Sequence, residues 1–181
     1  MILGLDISTS CTGFSIIDKD KNLIEMNSVS LSKKKCLYEK TKDIEKAFKN
    51  IEKYNIDTIY VEENLQAFRT GFSSAKTIST LARFNGMVSL IAFNTFGILP
   101  ENINVNQARK VVGIKIIKEK ICGKSTKEQV VDWVDKDLLG FEWPTKVLKS
   151  GPRKGKKIID SSSYDMADSY VIAVAGLKMN I

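Results

Sequence analysis

The chain of 181 residues contains no histidine. That absence removes Ser-His-Asp and Cys-His catalysis, histidine zinc sites and imidazole general bases together. Any proton transfer then falls to carboxylates, Lys, Tyr, Cys or metal-bound water. Arginine is scarce as well. Arg69, Arg83, Arg109 and Arg153 are the only four, so the net charge of +7 is built mostly from lysine. A lysine excess favours a polyanionic partner and suits contact with its backbone better than reading of its bases. Cysteine is limited to Cys11, Cys36 and Cys122, an odd number with no Cys-x-x-Cys spacing. This argues against a disulfide framework and for a reduced, intracellular compartment. There is no Pro- or Ser-rich linker and no internal repeat, so residues 1–181 are read as a single domain. Long apolar runs are missing too. The longest, residues 86–100, is interrupted by Asn94 and is too short for a bilayer span. No membrane contact is expected. The sequence opens directly on a strand-like run, so no signal peptide is expected. The expected setting is soluble and intracellular: cytoplasm, host cell or organelle matrix.

What is present reads as an α/β pattern. Residues 2–6 are a short apolar run, hence a buried strand, and the small polar residues 8–13 are a turn. Strands are expected over 12–18 and 23–31, which makes the first thirty residues an antiparallel meander. Residues 36–54 place Leu37, Ile44, Phe48 and Ile51 on one helical face. Thr58 to Glu62 is a fourth strand, followed by a polar loop over 64–72 and a long helix over 73–94. A fifth strand is expected at 103–105, with Asn106 capping a helical turn over 107–112. Ser125-Thr-Lys-Glu128 is a capping box that opens a helix ending at Leu138 or Leu139, where Gly140 stops it. Residues 146–157 are expected to be a loop. Ser161 to Ser163 then cap a last helix running to about Lys178. The order predicts a mixed five-stranded sheet, an antiparallel meander followed by parallel strands, with helices on both faces.

Four acids stand out against this frame. Asp6 and Glu62 end apolar strands, and Asp165 and Asp168 lie three apart in the first turn of the last helix, on one face. Each has an ordinary reading. Asp6 could cap a turn, and acids are common at helix starts, where the dipole favours them. For the fourth strand, the alternation with Tyr60 decides whether Glu62 or Glu63 faces the functional edge. Together, four acids able to meet at one end of a sheet in a basic protein point to a divalent metal, Mg²⁺ or Mn²⁺. Two ions about 4 Å apart would serve an in-line displacement at phosphorus.

Other candidates are read beside them. Residues 146–157 carry six basic residues, Arg153, Lys154, Lys156 and Lys157 among them, and no acid. They form either a phosphate-tracking arm or a solvated loop. Phe68 beside Arg69 could stack on an unpaired base or staple the core. Gly123-Lys-Ser125 resembles the end of a phosphate-binding loop, but the glycine required five residues earlier is Lys118.

These residues resemble the RuvC-type Holliday junction resolvases of the RNase H-like (retroviral integrase) superfamily. Ile-Leu-Gly-Leu-Asp6-Ile-Ser-Thr-Ser-Cys-Thr-Gly13 is similar to the family's first strand and turn, and Val61-Glu62 to its second acid. Ala82-Arg83-Phe-Asn-Gly86, Gln107-Ala-Arg-Lys-Val-Val-Gly113 and Asp165-Met-Ala-Asp168-Ser-Tyr follow in the family's order. The resemblance implies an RNase H-like fold and a homodimer that binds a four-way DNA junction and nicks two strands symmetrically. It also implies two Mg²⁺ or Mn²⁺ ions per site, held by Asp6, Glu62, Asp165 and Asp168. Lys127 matches a basic residue at the start of the family's next helix, and Arg109 and Lys110 stand near another, before Val-Val-Gly. Three departures fit a divergent phage, viral or organellar member. Leu65 stands where an aromatic usually follows the second acid, the basic residue before Val-Val-Gly is displaced, and the segment between Leu139 and Asp165 is long. Two other readings remain open. One is a debranching, fork or flap nuclease of the same fold. The other is a non-enzymatic, actin-like scaffold subunit, since Leu-Gly-Leu-Asp-Ile-Ser-Thr-Ser also resembles the first strand of those folds.

Overall fold

In a computed structural model, residues 1–63 and 75–180 are described. Strands β1 (Ile2–Ile7), β2 (Cys11–Ile17) and β3 (Leu23–Ser30) form the antiparallel meander. Helix α1 (Leu37–Ile51) ends in a short 3₁₀ turn, Glu52–Tyr54, and leads into β4 (Thr58–Glu62). Helix α2 (Ala75–Phe96) precedes β5 (Glu101–Ile103). The sheet order is β3-β2-β1-β4-β5, with β1–β4 and β4–β5 parallel, which is the mixed sheet the sequence predicts. Helices α3 (Val105–Val112), α4 (Glu119–Cys122), α5 (Thr126–Asp137) and α6 (Ser162–Met179) follow.

The period-2 alternation of the strands divides the interior in two. Leu3, Leu5, Ile7, Phe14, Ile16, Ile59 and Val61 point to one face and pack with Ile44 and Phe48 of α1 and Phe84 and Val88 of α2. Ile2, Ile17 and Tyr60 point to the other face and pack beneath α3, α5 and α6. Asp6 and Glu62 fall in the same alternation as Ile2 and Tyr60, so both carboxylates face the α6 side.

Small residues let α6 come unusually close to that face. A Cβ on Gly4 would lie 2.3 Å from the Ser169 carbonyl oxygen, and one on Gly13 would lie 2.0 Å from that of Asp165. Ser15 adds a buried hydroxyl pair with Ser169 at 2.7 Å. The helix is apolar nearly all round and is buried from Met166 to Gly176, as a central core helix must be. Its first turn is thereby fixed against the ends of β1 and β2.

The structure corrects several expectations. Residues 146–157 are not a plain loop. They connect a two-stranded antiparallel hairpin of β6 (Thr145–Val147) and β7 (Lys157–Ile159), in which Val147 pairs with Lys157. Exposed lysines alternating with single apolar residues gave no buried face by which to read a strand. The fifth strand lies two residues earlier than expected, and Asn104, not Asn106, caps α3 by accepting from the Asn106 N–H at 3.0 Å. At α6, Ser161 makes no side-chain cap. Asp160 instead accepts from the Ser162 N–H at 2.9 Å. The Ser125–Glu128 capping box forms as read. The loop expected over 64–72, with Phe68 and Arg69, lies outside the described residues. No helix among the described residues is long and apolar enough to cross a membrane.

Candidate active site

Parallel pairing of Leu5 with Val61 puts Asp6 and Glu62 one step further along neighbouring strands, at the same end of the sheet. The first turn of α6, which carries Asp165, arrives over Gly13, the partner of Asp6 in β2, and the second turn brings in Asp168. Carboxylate oxygens of Asp6, Glu62 and Asp168 lie within 4.8 Å of one another, the first two half-buried and the third buried. Asp165 stands outside this tight group but lines the same cleft of about 240 Å³, with Ser8, Leu81, Arg109 and Lys127. All four predicted acids therefore reach one cleft, three of them in close contact. Glu63 also borders it, but Glu62 is the strand-end acid that joins the group.

Burial and crowding make the negative charge costly. Asp6 is held well above the usual carboxylate range, first by burial and then by Glu62, Asp168 and Asp165, with Lys127 opposing. Glu62 is pushed up to about 7 by burial and by Asp168, against Arg109 and Lys127. Asp168 and Asp165 are raised mainly by burial, opposed chiefly by Arg109 and Lys127 respectively. Cys11, at the start of β2, is pushed up to about 12 by burial and by Asp165. Repelling carboxylates in a confined space are stable when a cation neutralises them. A cluster of hard oxygen donors of this kind fits Mg²⁺ or Mn²⁺.

The basic neighbours take different places. Arg109 is mostly buried, and its Nη2 donates to Asp168 Oδ1 at 3.2 Å. Its Nε is buried with no hydrogen-bond partner among the described residues. Lys127 is exposed on α5, with Nζ 5.8 Å from the centre of the Tyr164 ring. Lys110 is exposed and borders a separate surface groove with Arg109 and Lys115. Arg153, Lys154, Lys156 and Lys157 are exposed on the hairpin, where Arg153 shares a groove with Tyr164 and Lys124. Two further side chains support the cleft. The Ser8 hydroxyl donates to the Cys11 carbonyl at 2.7 Å and accepts from the Cys11 N–H at 3.1 Å, which closes the β1–β2 turn. Buried Asn85 reaches the Glu62 carbonyl at 3.5 Å from α2. Ser8 lies in the small polar run that the sequence marks as a turn, whereas Asn85, inside a long helix, gives no signal of its contact with Glu62.

Comparison with known proteins decides the family. Over 153 residues the chain is 32% identical to the crossover junction endodeoxyribonuclease RuvC of Aliarcobacter butzleri, covering 81% of this chain and 88% of that protein. The chain belongs to the RuvC family. The fold agrees with it. RuvC of Thermus thermophilus in complex with a Holliday junction substrate superimposes with a TM-score of 0.65 at 19% identity, covering 99% of this chain and 93% of that one. A second structure of Thermus thermophilus RuvC gives a TM-score of 0.63 at 17% identity, over 99% and 94% of the two chains. No protein-family model matches the sequence. RuvC-type nucleases are metal-dependent, and the acid cluster is where this RuvC relative would meet that requirement.

Proposed function

We propose that this RuvC-family chain resolves four-way DNA junctions by paired symmetric nicks, hydrolysing one phosphodiester bond at each of two sites. The observation that carries the reading is the convergence of Asp6, Glu62 and Asp168 oxygens within 4.8 Å at one sheet end. Asp6, Glu62, Asp165 and Asp168 would hold two ions, Mg²⁺ or Mn²⁺. When bound, such ions lower the pKa of water and stabilise the leaving oxygen of an in-line displacement.

The chain supplies the rest. Asp6 and Glu62 are fixed by strand pairing, and Asp168 by a buried helix, so the carboxylates hold their positions as charge develops. Arg109 shares Asp168 with the site and offsets part of the repulsion among the crowded acids when no cation is present. Lys127, exposed at the cleft, places an ammonium group where a phosphate would enter. Leu81 and Ile7 add the apolar part of the cleft wall. The exposed basic residues of the hairpin extend the positive surface past Tyr164 and contact DNA backbone beyond the scissile bond. Lys110 does so from α3, and Phe68 and Arg69 fall on the segment directly after Glu62.

Paired nicks in a two-fold symmetric substrate call for two sites related by the same symmetry, hence a homodimer. Exposed Leu90 and Phe93 on α2 offer an apolar surface for it. The test is cleavage of an immobile four-way junction beside a Y-fork, a flap and a linear duplex of matched sequence, in Mg²⁺ and in Mn²⁺. Paired symmetric nicks confined to the junction support the reading. Faster cutting of forks or flaps moves the chain to a branch nuclease of the same fold. No cutting of any substrate overturns nuclease function.

A further inference from the structure

The cleft has a basic neighbour on the side away from the hairpin. Residues Lys33, Lys34 and Lys35 form an exposed triplet between β3 and α1, with exposed Lys42 one turn into the helix. The four lysines border one surface hollow with Glu39 and Asp43. This hollow is anchored to the active-site end of the sheet. The Leu31 N–H donates to the Ser10 carbonyl at 2.8 Å, and the Lys34 N–H to the Leu31 carbonyl at 3.1 Å. Lys40 Nζ also donates to the Thr9 carbonyl. Ser8, two residues before Ser10, is a wall of the acid cleft. The lysines therefore sit at the rim of the β1–β2 turn, on the face opposite α5, α6 and the hairpin.

Their charge is largely uncommitted. Glu39 is occupied by backbone, accepting from the N–H groups of Lys35 at 3.1 Å and Cys36 at 3.4 Å. Lys34 has one exposed partner, Asp43 at 3.4 Å, while Lys33 and Lys35 make no ion pair among the described residues. Among the described residues, this surface carries no arginine fork and only one large exposed apolar side chain, Tyr38. A protein interface has an apolar centre, which is absent here. Flexible, hydrated ammonium groups along a rim match a run of phosphates.

We propose that Lys33, Lys34, Lys35 and Lys42 bind the phosphate backbone of a DNA arm that leaves the acid cleft across the β1–β2 turn. The proposal rests on the DNA-cutting reading above. It makes the cleft the middle of a positive track, with the hairpin on one face of the sheet and this hollow on the other.

The test is junction binding across 50–200 mM salt, in an Asp6→Asn background so that DNA stays intact. The triple variant Lys33→Ala/Lys34→Ala/Lys35→Ala is compared with the corresponding triple Lys→Arg variant. Each lost phosphate contact lowers the slope of log affinity against log salt by about 0.9. The Ala variant is expected to lose about 2.7 from the slope, for three contacts, and the Arg variant to keep it. With Asp6 restored, the Ala variant cuts saturating junction at the wild-type rate. An unchanged slope in the Ala variant overturns the proposal, as does a lowered cutting rate with an unchanged slope. If the wild-type chain cuts no DNA, the same salt series on linear duplex decides the lysine proposal separately, since backbone contact does not depend on the chemistry.

Discussion

The acid cleft and the basic flanks beside it are built in opposite ways. The acids are few, half-buried or buried, and fixed by strand pairing and by the close approach of α6 over Gly4 and Gly13. The lysines are many and exposed, and most are borne on the β3–α1 link and the β6–β7 hairpin, with Lys42, Lys110 and Lys127 on helices. Crowded, desolvated charges interact strongly with one another and with a cation, whereas exposed ones are screened and act nearly additively. Chemistry should therefore depend on single acids, and affinity on the sum of many lysines.

Removing an acid breaks the first half of the comparison with the largest effect. Glu62→Gln should reduce the single-turnover cutting rate on the order of a thousandfold, as loss of a preorganised electrostatic group does. Junction affinity, measured by titration, should change little. Disturbing the support comes next. In Gly13→Ala the new methyl would meet the Asp165 carbonyl at 2.0 Å, a backbone contact that cannot turn aside. Forcing α6 outward should cost roughly 3 kcal/mol in stability. It should also slow cutting by about tenfold or more, read from melts and rates on one preparation.

The electrostatic strain in the cleft predicts a smaller effect on pH. Glu62 sits at about 7 in the folded chain against an ordinary 4.5. Between those values the folded state keeps a proton that the unfolded state has lost. Stability therefore falls as pH rises through that window and levels off above it. Without divalent metal, wild-type should melt a few degrees lower at pH 8 than at pH 5.5. Glu62→Gln should show a smaller difference, and added Mg²⁺ should narrow that of the wild type. Equal pH dependence in both proteins would contradict the assignment. The smallest effect sharpens the other half of the comparison. Lys154→Ala or Lys156→Ala alone should lower the salt slope of binding by about 0.9 and leave the cutting rate at saturation unchanged.

How legible these regions were follows the same division. Asp6 and Glu62 could be read because each ends an apolar strand, and the alternation with Tyr60 selects Glu62 over Glu63. Asp165 and Asp168 could be read from their spacing on an apolar helix. Burial leaves a period in the sequence, so the meander, the parallel strands and the core helices were visible with it. The flanks leave no such trace. The hairpin strands pair over three residues with no buried face, and they read as a loop. The lysines at 33–35 look like any solvated turn until Leu31 is found bound to Ser10, beside the cleft. The sequence marks Arg109 as a candidate DNA contact but gives no sign of its acid partner. Its bond to Asp168 depends on α3 packing against α6, which spacing along the chain does not encode.

The most direct measurement is the junction affinity and the cutting rate of Asp6→Asn, taken side by side in Mg²⁺ with wild-type protein. If the acids do the chemistry and the lysines hold the DNA, cutting disappears while the Kd stays within about threefold of wild type, since the substitution removes one carboxylate charge and leaves every lysine of the track in place. Cutting at the wild-type rate, or loss of binding and cutting together, would contradict that division.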